Sequence, residues 1–397
     1  MELVWTALKE ACYNFCMSNQ FSKYLTLLRR SLLAAAVLSG LAGCLAPVQD
    51  VPLTSSQPLP SVPPVQEERI ATTAPVTGDS PFTAYFTEPN SDEARSRQNG
   101  IDFEIITAID QAQTGIDIAV LNFNLRYVAN ALVDAHRRGV RVRVVVDDQY
   151  LDRNVPRQLA GAGIEVIGDR DPDLMHHKFI IIDGQEVWTG SMNLTVSGTY
   201  DDANNLVRVQ SQKMAEDFTW EFEQMFAEGR FGDESTPKGS PYPRFELQGR
   251  PVEVLFSPGD EVTRRLVELV RGARESVTFM AFSLTSDDLA DALIDQKNAG
   301  IIVQGVMDAE QVESNFNSQY DRLVDAGVVV RTDTLEGQMH HKVLIIDRQV
   351  VEFGSFNFSN SAEYENDENV VIVKDSQLAG EFTAEFMRIF GAAAEKR

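Results

Sequence analysis

The chain has 397 residues, of which 43% are hydrophobic and 24% charged, and its formal net charge is −24. This composition is typical of a globular protein and excludes whole-chain disorder, collagen and a coiled coil. The negative charge argues against a protein that coats nucleic acid or binds membranes through a basic surface, because phosphates would be repelled. The three cysteines, Cys12, Cys16 and Cys44, leave the rest of the chain without a disulfide or a thiolate metal site.

The first predicted element is a secretion signal at residues 1–44. Residues 32–43 form a short apolar run that follows basic residues and ends in Leu-Ala-Gly-Cys44. This ending resembles the lipobox of bacterial lipoproteins, which implies that Cys44 is lipidated and becomes the N-terminus. We therefore expect a secreted, membrane-anchored lipoprotein on the periplasmic side or cell surface, with the outer membrane favoured. Met17 is the more usual start for such a signal, and a plain signal peptide or a buried helix is the alternative.

A proline-rich linker is predicted for residues 45–80. Residues 45–81 contain eight of the 16 prolines, interspersed with Ser, Thr, Gln and Val. Such a composition is typical of an extended tether without a packed core.

From residue 81 the chain repeats itself, which predicts lobe 1 at 81–231, a connector at 232–250 and lobe 2 at 251–391. Each half reads as strand, helix, strand, with strands at 116–123 and 141–146 and again at 277–282 and 301–307. Each half closes with an amphipathic helix, at 214–226 and 378–390. We therefore predict an α/β fold of two duplicated α/β/α lobes. Each lobe would have a mostly parallel sheet covered by helices, and a pseudo-two-fold axis would relate them around one active site.

Two copies of one motif carry the chemistry. The first reads His176-x-Lys178-x4-Asp183-x6-Gly190-Ser191-x-Asn193. The second reads His340-x-Lys342-x4-Asp347-x6-Gly354-Ser355-x-Asn357, and every position is offset by 164 residues. Six fixed residue types at fixed spacing in both halves indicate a duplicated site rather than coincidence.

The residue types in each motif suit a phosphate ligand. Side chains alternate along a strand, so the histidine and lysine share one face and can converge on one anion. The aspartate points to the other face and is expected to anchor the strand. The glycine would let the backbone approach closely, and the serine and asparagine would donate hydrogen bonds to phosphate oxygens. His177 and His341, on the opposite face, are expected to pack or hydrogen-bond within the core.

With these motifs, residues 82–390 resemble the phospholipase D superfamily. The resemblance implies metal-independent cleavage of a phosphodiester without a cofactor. One neutral histidine would attack phosphorus to form a phosphohistidine, and the other would protonate the leaving oxygen. It also implies a carboxylate that orients a catalytic imidazole across the interface. Glu368, which corresponds to Asn204 at the same offset, is predicted to support His176 as the nucleophile, and Asp202 is a candidate partner for His340.

The predicted reaction is hydrolysis of a membrane phospholipid to phosphatidate and free headgroup, with transfer to an alcohol as a further outcome. The acidic segment at residues 168–173 favours a choline or ethanolamine headgroup, and loops around Tyr150 and Phe316 would shape the entrance. The partners would be the phospholipid and the membrane that holds Cys44, and a monomer would contain the complete site. The alternative is a metal-independent endonuclease or nucleotide phosphodiesterase, for which nucleic acid is the partner. An inactive phosphate-binding module is the third class.

Overall fold

The computed structural model describes residues 80–89, 91–234 and 239–393. The predicted signal segment, Cys44 and the linker before residue 80 lie outside the described residues. Within these ranges, the structure contains no helix that combines the length and the apolar character needed to cross a membrane.

Lobe 1 is built on a seven-stranded sheet in the order β1-β7-β6-β5-β2-β3-β4. Its strands are β1 (Phe82–Phe86), β2 (Gly115–Val120), β3 (Arg141–Val146), β4 (Glu165–Gly168), β5 (Lys178–Ile182), β6 (Glu186–Gly190) and β7 (Asn205–Gln210). Its helices are α1 (Asp92–Ser96), α2 (Ile101–Gln111), α3 (Arg126–Arg137), α4 (Asp148–Leu151), α5 (Asn154–Gly161), α6 (Val196–Tyr200) and α7 (Gln212–Phe226).

Lobe 2 is built on an eight-stranded sheet in the order β12-β11-β10-β13-β14-β15-β9-β8. Its strands are β8 (Arg244–Leu247), β9 (Arg250–Ser257), β10 (Ser276–Ala281), β11 (Ile302–Met307), β12 (Val329–Thr332), β13 (Lys342–Ile346), β14 (Val350–Gly354) and β15 (Glu368–Lys374). Its helices are α8 (Val262–Arg271), α9 (Asp287–Asn298), α10 (Ala309–Ser314), α11 (Tyr320–Asp325), α12 (Asn360–Tyr364) and α13 (Ser376–Ala392).

The two-lobed α/β architecture is confirmed, but the expectation of mostly parallel sheets is wrong. In the two sheets of the described residues, β2–β3–β4 and β10–β11–β12 pair in parallel, and the other neighbouring strands are antiparallel. Parallel neighbours need a helical crossover, which these strands have. The two strands of each motif, β5–β6 and β13–β14, are joined by short turns and must therefore run antiparallel.

A shared apolar core holds the lobes together. One hydrophobic cluster includes side chains of both sheets and of helices α7 and α13, while each lobe has a second cluster beneath its own outer helices. Aromatic rings cross the interface, with Phe218 of α7 5.3 Å from Phe256 of β9 and Phe86 of β1 5.0 Å from Phe382 of α13. Because this apolar surface is buried only when the lobes are together, its burial fixes their orientation.

Backbone hydrogen bonds continue the interface to the edge where both motif strands begin. The His176 N–H donates to the Asp367 carbonyl at 3.0 Å, and the His340 N–H donates to the Ala203 carbonyl at 2.8 Å. Each histidine is therefore held by the lobe that does not carry it.

Candidate active site

The motif histidines lie just before their strands. We predicted that the strand includes His176, but β5 begins at Lys178 and β13 begins at Lys342. The His176 carbonyl accepts a hydrogen bond from Lys178 Nζ at 2.5 Å, and the His340 carbonyl accepts one from Lys342 Nζ at 2.9 Å. All four side chains are buried. The two histidines lie outside the strands because their backbone N–H groups donate to carbonyls of the opposite lobe and not to a neighbouring strand.

His176 is paired with a carboxylate from lobe 2. Its Nδ1 lies 2.8 Å from Glu368, the first residue of β15, which is fully buried. Burial lowers the pKa of His176 to about 4, although Glu368 acts in the opposite direction. Burial would raise the pKa of Glu368, but His176 and Lys178 hold it below its ordinary value. A neutral imidazole thus donates to an ionised carboxylate, which leaves Nε2 with a free lone pair.

Among the described residues, the hydrogen-bond partners of His340 Nδ1 are neutral, and both belong to lobe 1. Its Nδ1 lies 2.9 Å from the Asn204 side-chain oxygen and 3.0 Å from the Ser191 carbonyl. Both contacts are acceptors, so Nδ1 carries the hydrogen. Burial, followed by the charges of Lys342 and Lys178, lowers the pKa of His340 well below its ordinary value. The two imidazoles therefore have the same tautomer but different support.

The suggestion that Asp202 supports His340 is wrong. Asp202 instead accepts a hydrogen bond from the Gln338 N–H at 3.0 Å. The partner of His340 is Asn204, whose amide nitrogen donates to the Gly198 carbonyl at 2.9 Å and so directs its oxygen toward the imidazole. The offset of 164 that equates Asn204 with Glu368 was the signal in the sequence, because equivalent positions in a duplicated fold have equivalent neighbours.

The two serines do not serve as the predicted phosphate donors. The Ser191 hydroxyl donates to the Asn204 side-chain oxygen at 2.8 Å. The Ser355 hydroxyl accepts from the Asn369 N–H at 3.0 Å, and it hydrogen-bonds to Glu368, where it helps to lower the carboxyl pKa. Both serines are fully buried. They therefore position the groups that support the imidazoles rather than face an anion.

Asn193 and Asn357 occupy equivalent turns after β6 and β14. Their carbonyls accept from the N–H groups of Thr195 and Ser359, both at 2.7 Å. Among the described residues, no hydrogen-bond partner contacts the buried side-chain oxygen of either asparagine. Their role as phosphate ligands stays a prediction.

The motif glycines are required by close contact between strands. A Cβ on Gly190 would lie 2.4 Å from the Asn205 carbonyl oxygen, and one on Gly354 would lie 2.1 Å from that of Asn369. Such distances are far inside van der Waals contact, so only glycine fits. The close approach aligns the serines and asparagines that follow.

Asp183 and Asp347 lie at the far end of the motif strands. Asp183 accepts hydrogen bonds from the backbone N–H groups of Gln113, Thr114 and Gly115. Asp347 accepts from the corresponding N–H groups of residues 274–276. Burial would raise the pKa of each aspartate, but these bonds lower it below its ordinary value. The carboxylates thus attach the motif strand to the start of β2 or β10.

His177 and His341 connect the motif strands to the closing helices. His177 Nε2 lies 3.1 Å from Glu221 of α7, and His341 Nε2 lies 3.1 Å from Glu385 of α13. The other ring nitrogens contact Asn369 and Asn205, on the opposite lobe. We did not identify these glutamates and asparagines from the sequence, although each pair repeats at the offset of 164.

The two lysines are the groups that can give the site a positive charge. Burial lowers the pKa of Lys178 to about 7, with Glu368 and Asp147 acting in the opposite direction. Burial and then the charge of Lys178 lower the pKa of Lys342 well below its ordinary value. The charge of the lysine in the opposite lobe also lowers the pKa of each imidazole. An anion placed between them would raise both lysine pKa values, which is the electrostatic condition for binding phosphate.

Two acidic residues for which we predicted no structural role hold the loops in front of both histidines. Asp169 accepts from the Met175 N–H at 3.3 Å and Asp308 accepts from the Met339 N–H at 3.0 Å. Burial raises the pKa of Asp169 and that of Asp308 to about 6. Asp147, Asp148 and Asp169 are close enough to share a cation, but Asp147 and Asp169 already accept backbone hydrogen bonds. The absence of a metal or cofactor stays a prediction.

Both halves of the chain are similar to known proteins. The model of the family described as "Cardiolipin synthase, PLD-like domain" matches residues 105–226 and 266–390. The chain is 35% identical over 134 residues to "Phospholipase D" of Rickettsia typhi, which covers 34% of this chain and 65% of that protein. It is 32% identical over 142 residues to "Mitochondrial cardiolipin hydrolase" of Xenopus tropicalis, which covers 35% and 64%. It thus spans less than two thirds of the length of either relative.

The fold is also similar to that of a solved enzyme. The crystal structure of phosphatidylserine synthase from Haemophilus influenzae matches with a TM-score of 0.61 over 78% of this chain and 86% of that one, at 12% identity. This match covers both lobes and supports the two-lobed architecture.

Proposed function

The chain belongs to the phospholipase D superfamily, and from this membership we propose that it is a phosphodiesterase that hydrolyses membrane phospholipids to phosphatidate and free headgroup. The observation that carries the proposal is the pair of buried imidazoles, each held through Nδ1 by the opposite lobe, beside two buried lysines. This set supplies a nucleophile, an acid and two cations to one phosphate.

His176 is the proposed nucleophile. Its Nε2 lone pair forms a bond to phosphorus, and the bond from phosphorus to the headgroup oxygen breaks. The imidazole becomes positive in this step, and Glu368 stabilises that charge at 2.8 Å. Among the described residues, His340 Nδ1 contacts the neutral oxygens of Asn204 and Ser191. In the resting protein these oxygens stabilise a positive imidazole less than the Glu368 carboxylate stabilises that of His176.

His340 is the proposed acid and base. The negative phosphate favours a proton on His340 Nε2, and this proton passes to the leaving headgroup oxygen. A water molecule then gives its proton back to His340 and attacks phosphorus, which breaks the bond to His176 and releases phosphatidate. An alcohol in place of water would give a new phospholipid, so transphosphatidylation belongs to the same proposal.

Lys178 and Lys342 would balance the charge on the non-bridging phosphate oxygens, with Asn193 and Asn357 as further donors. Buried cations act in a medium of low polarity, where they stabilise charge more strongly than in water. No step of this sequence requires a metal ion or a cofactor.

The choice of phospholipid rests on the two relatives, which are named for phospholipase D and for cardiolipin hydrolysis. The proposed lipid anchor at Cys44 would keep the enzyme at the membrane as a secreted, surface or periplasmic lipoprotein. Since both motifs lie in one chain, a monomer is sufficient for a complete site.

The test is an assay of the full chain in detergent, treated with a chelator, on labelled phospholipids and on single-stranded DNA. We expect headgroup release that is lost in His176→Ala and His340→Ala. His136→Ala is the matched control, because this histidine lies on helix α3 outside the site. Cleavage of DNA without cleavage of lipid would favour the nuclease alternative, and cleavage of neither would overturn the proposal.

A further inference from the structure

Three large aromatic side chains are exposed at the edge of the molecule where the active site lies. They are Tyr127, Phe316 and Tyr364, with relative exposures of 74%, 105% and 66%. We call these three residues the aromatic rim. Exposure of one aromatic side chain is common on soluble proteins, but three on the edge where both motif strands begin require an explanation.

Tyr127 is placed at this edge by the turn that follows β2. It is the second residue of α3, and the preceding segment pairs with the turn after Asn193. The N–H groups of Asn124 and Leu125 both donate to the Leu194 carbonyl, at 2.9 and 3.1 Å. The start of α3 is therefore fixed beside the predicted phosphate ligand of lobe 1.

Phe316 occupies the corresponding region of lobe 2, in the loop between α10 and α11 that follows β11. The Gln319 N–H donates to the Leu284 carbonyl at 3.0 Å, and Leu284 pairs with Phe358, the residue after Asn357. The Phe316 loop is thus attached to the predicted phosphate ligand of lobe 2. The side chain itself is fully exposed.

Tyr364 ends α12, four residues before Glu368. Its equivalent in lobe 1, at the offset of 164, is Tyr200, which is 6% exposed and donates its hydroxyl to Asp102 at 2.7 Å. The fold can therefore cover an aromatic ring at this position. In lobe 2 the ring of Tyr364 is uncovered, so its exposure is specific to this surface and is not imposed by the duplicated fold.

Three arginines lie on the same edge of lobe 1. Arg126, Arg153 and Arg170 follow β2, β3 and β4, whose carboxyl ends meet at one edge because the strands are parallel. All three are exposed, and within the described part of the chain none forms an ion pair. These guanidinium groups offer positive charge and hydrogen-bond donors to lipid phosphates, and Arg170 does so from within the acidic segment at residues 168–173.

We propose that the aromatic rim is the surface by which the catalytic body itself contacts a lipid bilayer, with the entrance facing the headgroups and the three arginines contacting lipid phosphates. This inference rests on the proposed function. Aromatic side chains favour the boundary between headgroups and acyl chains. A protein docked on the rim would close the entrance, whereas a bilayer that covers it also supplies the substrate.

The test uses the full chain reconstituted into phosphatidylcholine vesicles that contain a minor fraction of phosphatidylglycerol. Phe316→Trp is the probe, and brominated phosphatidylcholine is the quencher. Ile302→Trp is the matched control, because Ile302 is 61% exposed but begins β11, at the opposite end of the strand that leads to Phe316. We expect bromolipid to quench the added tryptophan at 316 and not the one at 302.

A kinetic readout accompanies the quenching. Phe316→Ser should lower the ratio of vesicle hydrolysis to hydrolysis of a soluble diester, bis(p-nitrophenyl) phosphate, roughly tenfold. Ile302→Ser should leave this ratio unchanged. Equal quenching at 302 and 316, or quenching at 316 by single-stranded DNA and not by bromolipid, would overturn the proposal. Quenching at 316 without any phospholipid hydrolysis would retain the rim and refute the proposed function instead.

Discussion

Glu368 of lobe 2 accepts a hydrogen bond from Nδ1 of His176 of lobe 1 at 2.8 Å, across 192 residues of sequence. The equivalent contact in the other direction joins His340 to Asn204, an amide in place of a carboxylate. The duplicated halves therefore differ chemically at this one pair of equivalent positions, and this difference is the basis for the different roles that we propose for the two histidines.

Glu368→Gln removes the charge and keeps the shape. We expect kcat to fall roughly a hundredfold or more with a smaller change in KM, since the carboxylate acts on the positive imidazole of the intermediate. Steady-state kinetics on phospholipid checks this. Glu385→Gln is the matched control, because Glu385 contacts His341 behind the site. An equal loss in both variants would contradict the assignment.

Asn204→Asp places a carboxylate beside His340. An anion next to an imidazole stabilises the protonated form, so the pKa of His340, now depressed by burial and by Lys342 and Lys178, should rise. The alkaline limb of the pH profile of kcat/KM, which reports loss of the proton from the acid, should move to higher pH. An unmoved limb would show that His340 is not the acid.

Anion binding should weaken as pH rises through neutrality. Burial lowers the pKa of Lys178 to about 7, so its ammonium is present below pH 7 and is lost above it. Sulfate does not titrate in this range, and its affinity should fall by up to about tenfold per pH unit above 7. Competition with substrate between pH 6 and 8.5 measures this. The slope should disappear in Lys178→Met, and an equal slope in both proteins would contradict the prediction.

Gly190→Ala should destabilise the fold at the end of β6, just before Ser191 and Asn193. The new Cβ would lie 2.4 Å from the Asn205 carbonyl oxygen, so β6 and β7 must separate. We expect a loss of about 3 kcal/mol in the free energy of unfolding. Gly380→Ala, at an exposed position in the N-terminal part of α13 where a Cβ meets no neighbour, should instead gain about 0.5–1 kcal/mol. Denaturant titration compares the two, and similar values would refute the steric argument.

Much of the site could be predicted from the sequence because the motif is local and repeated. The spacing predicted which residues of each half lie together, and the offset of 164 pointed to Glu368 as the equivalent of Asn204. The anchoring role of Asp183 follows from the alternation of side chains along the strand. The close approach of β6 and β7 at Gly190 follows from the lack of a side chain there. Each of these depends on neighbours within one strand pair.

The remaining features depend on contacts between distant segments. The serine hydroxyls donate to the supporting residues, and Asp202 accepts from the backbone of Gln338 instead of from His340. The spacing of residues in the sequence could not identify these hydrogen-bond partners, because a side chain can bond to any donor or acceptor that tertiary packing brings near.

The sequence by itself determined the duplication and the two motifs, and it predicted a phosphate ligand for the His-Lys-Asn set. Only the tertiary structure decided the antiparallel majority of the sheets, the exchange of supporting residues between lobes and the exposure of Tyr364 where Tyr200 is covered. The reason is physical. Residue types fix local geometry and charge, whereas strand order and side-chain burial follow from how two apolar faces dock, and that depends on the whole surface at once.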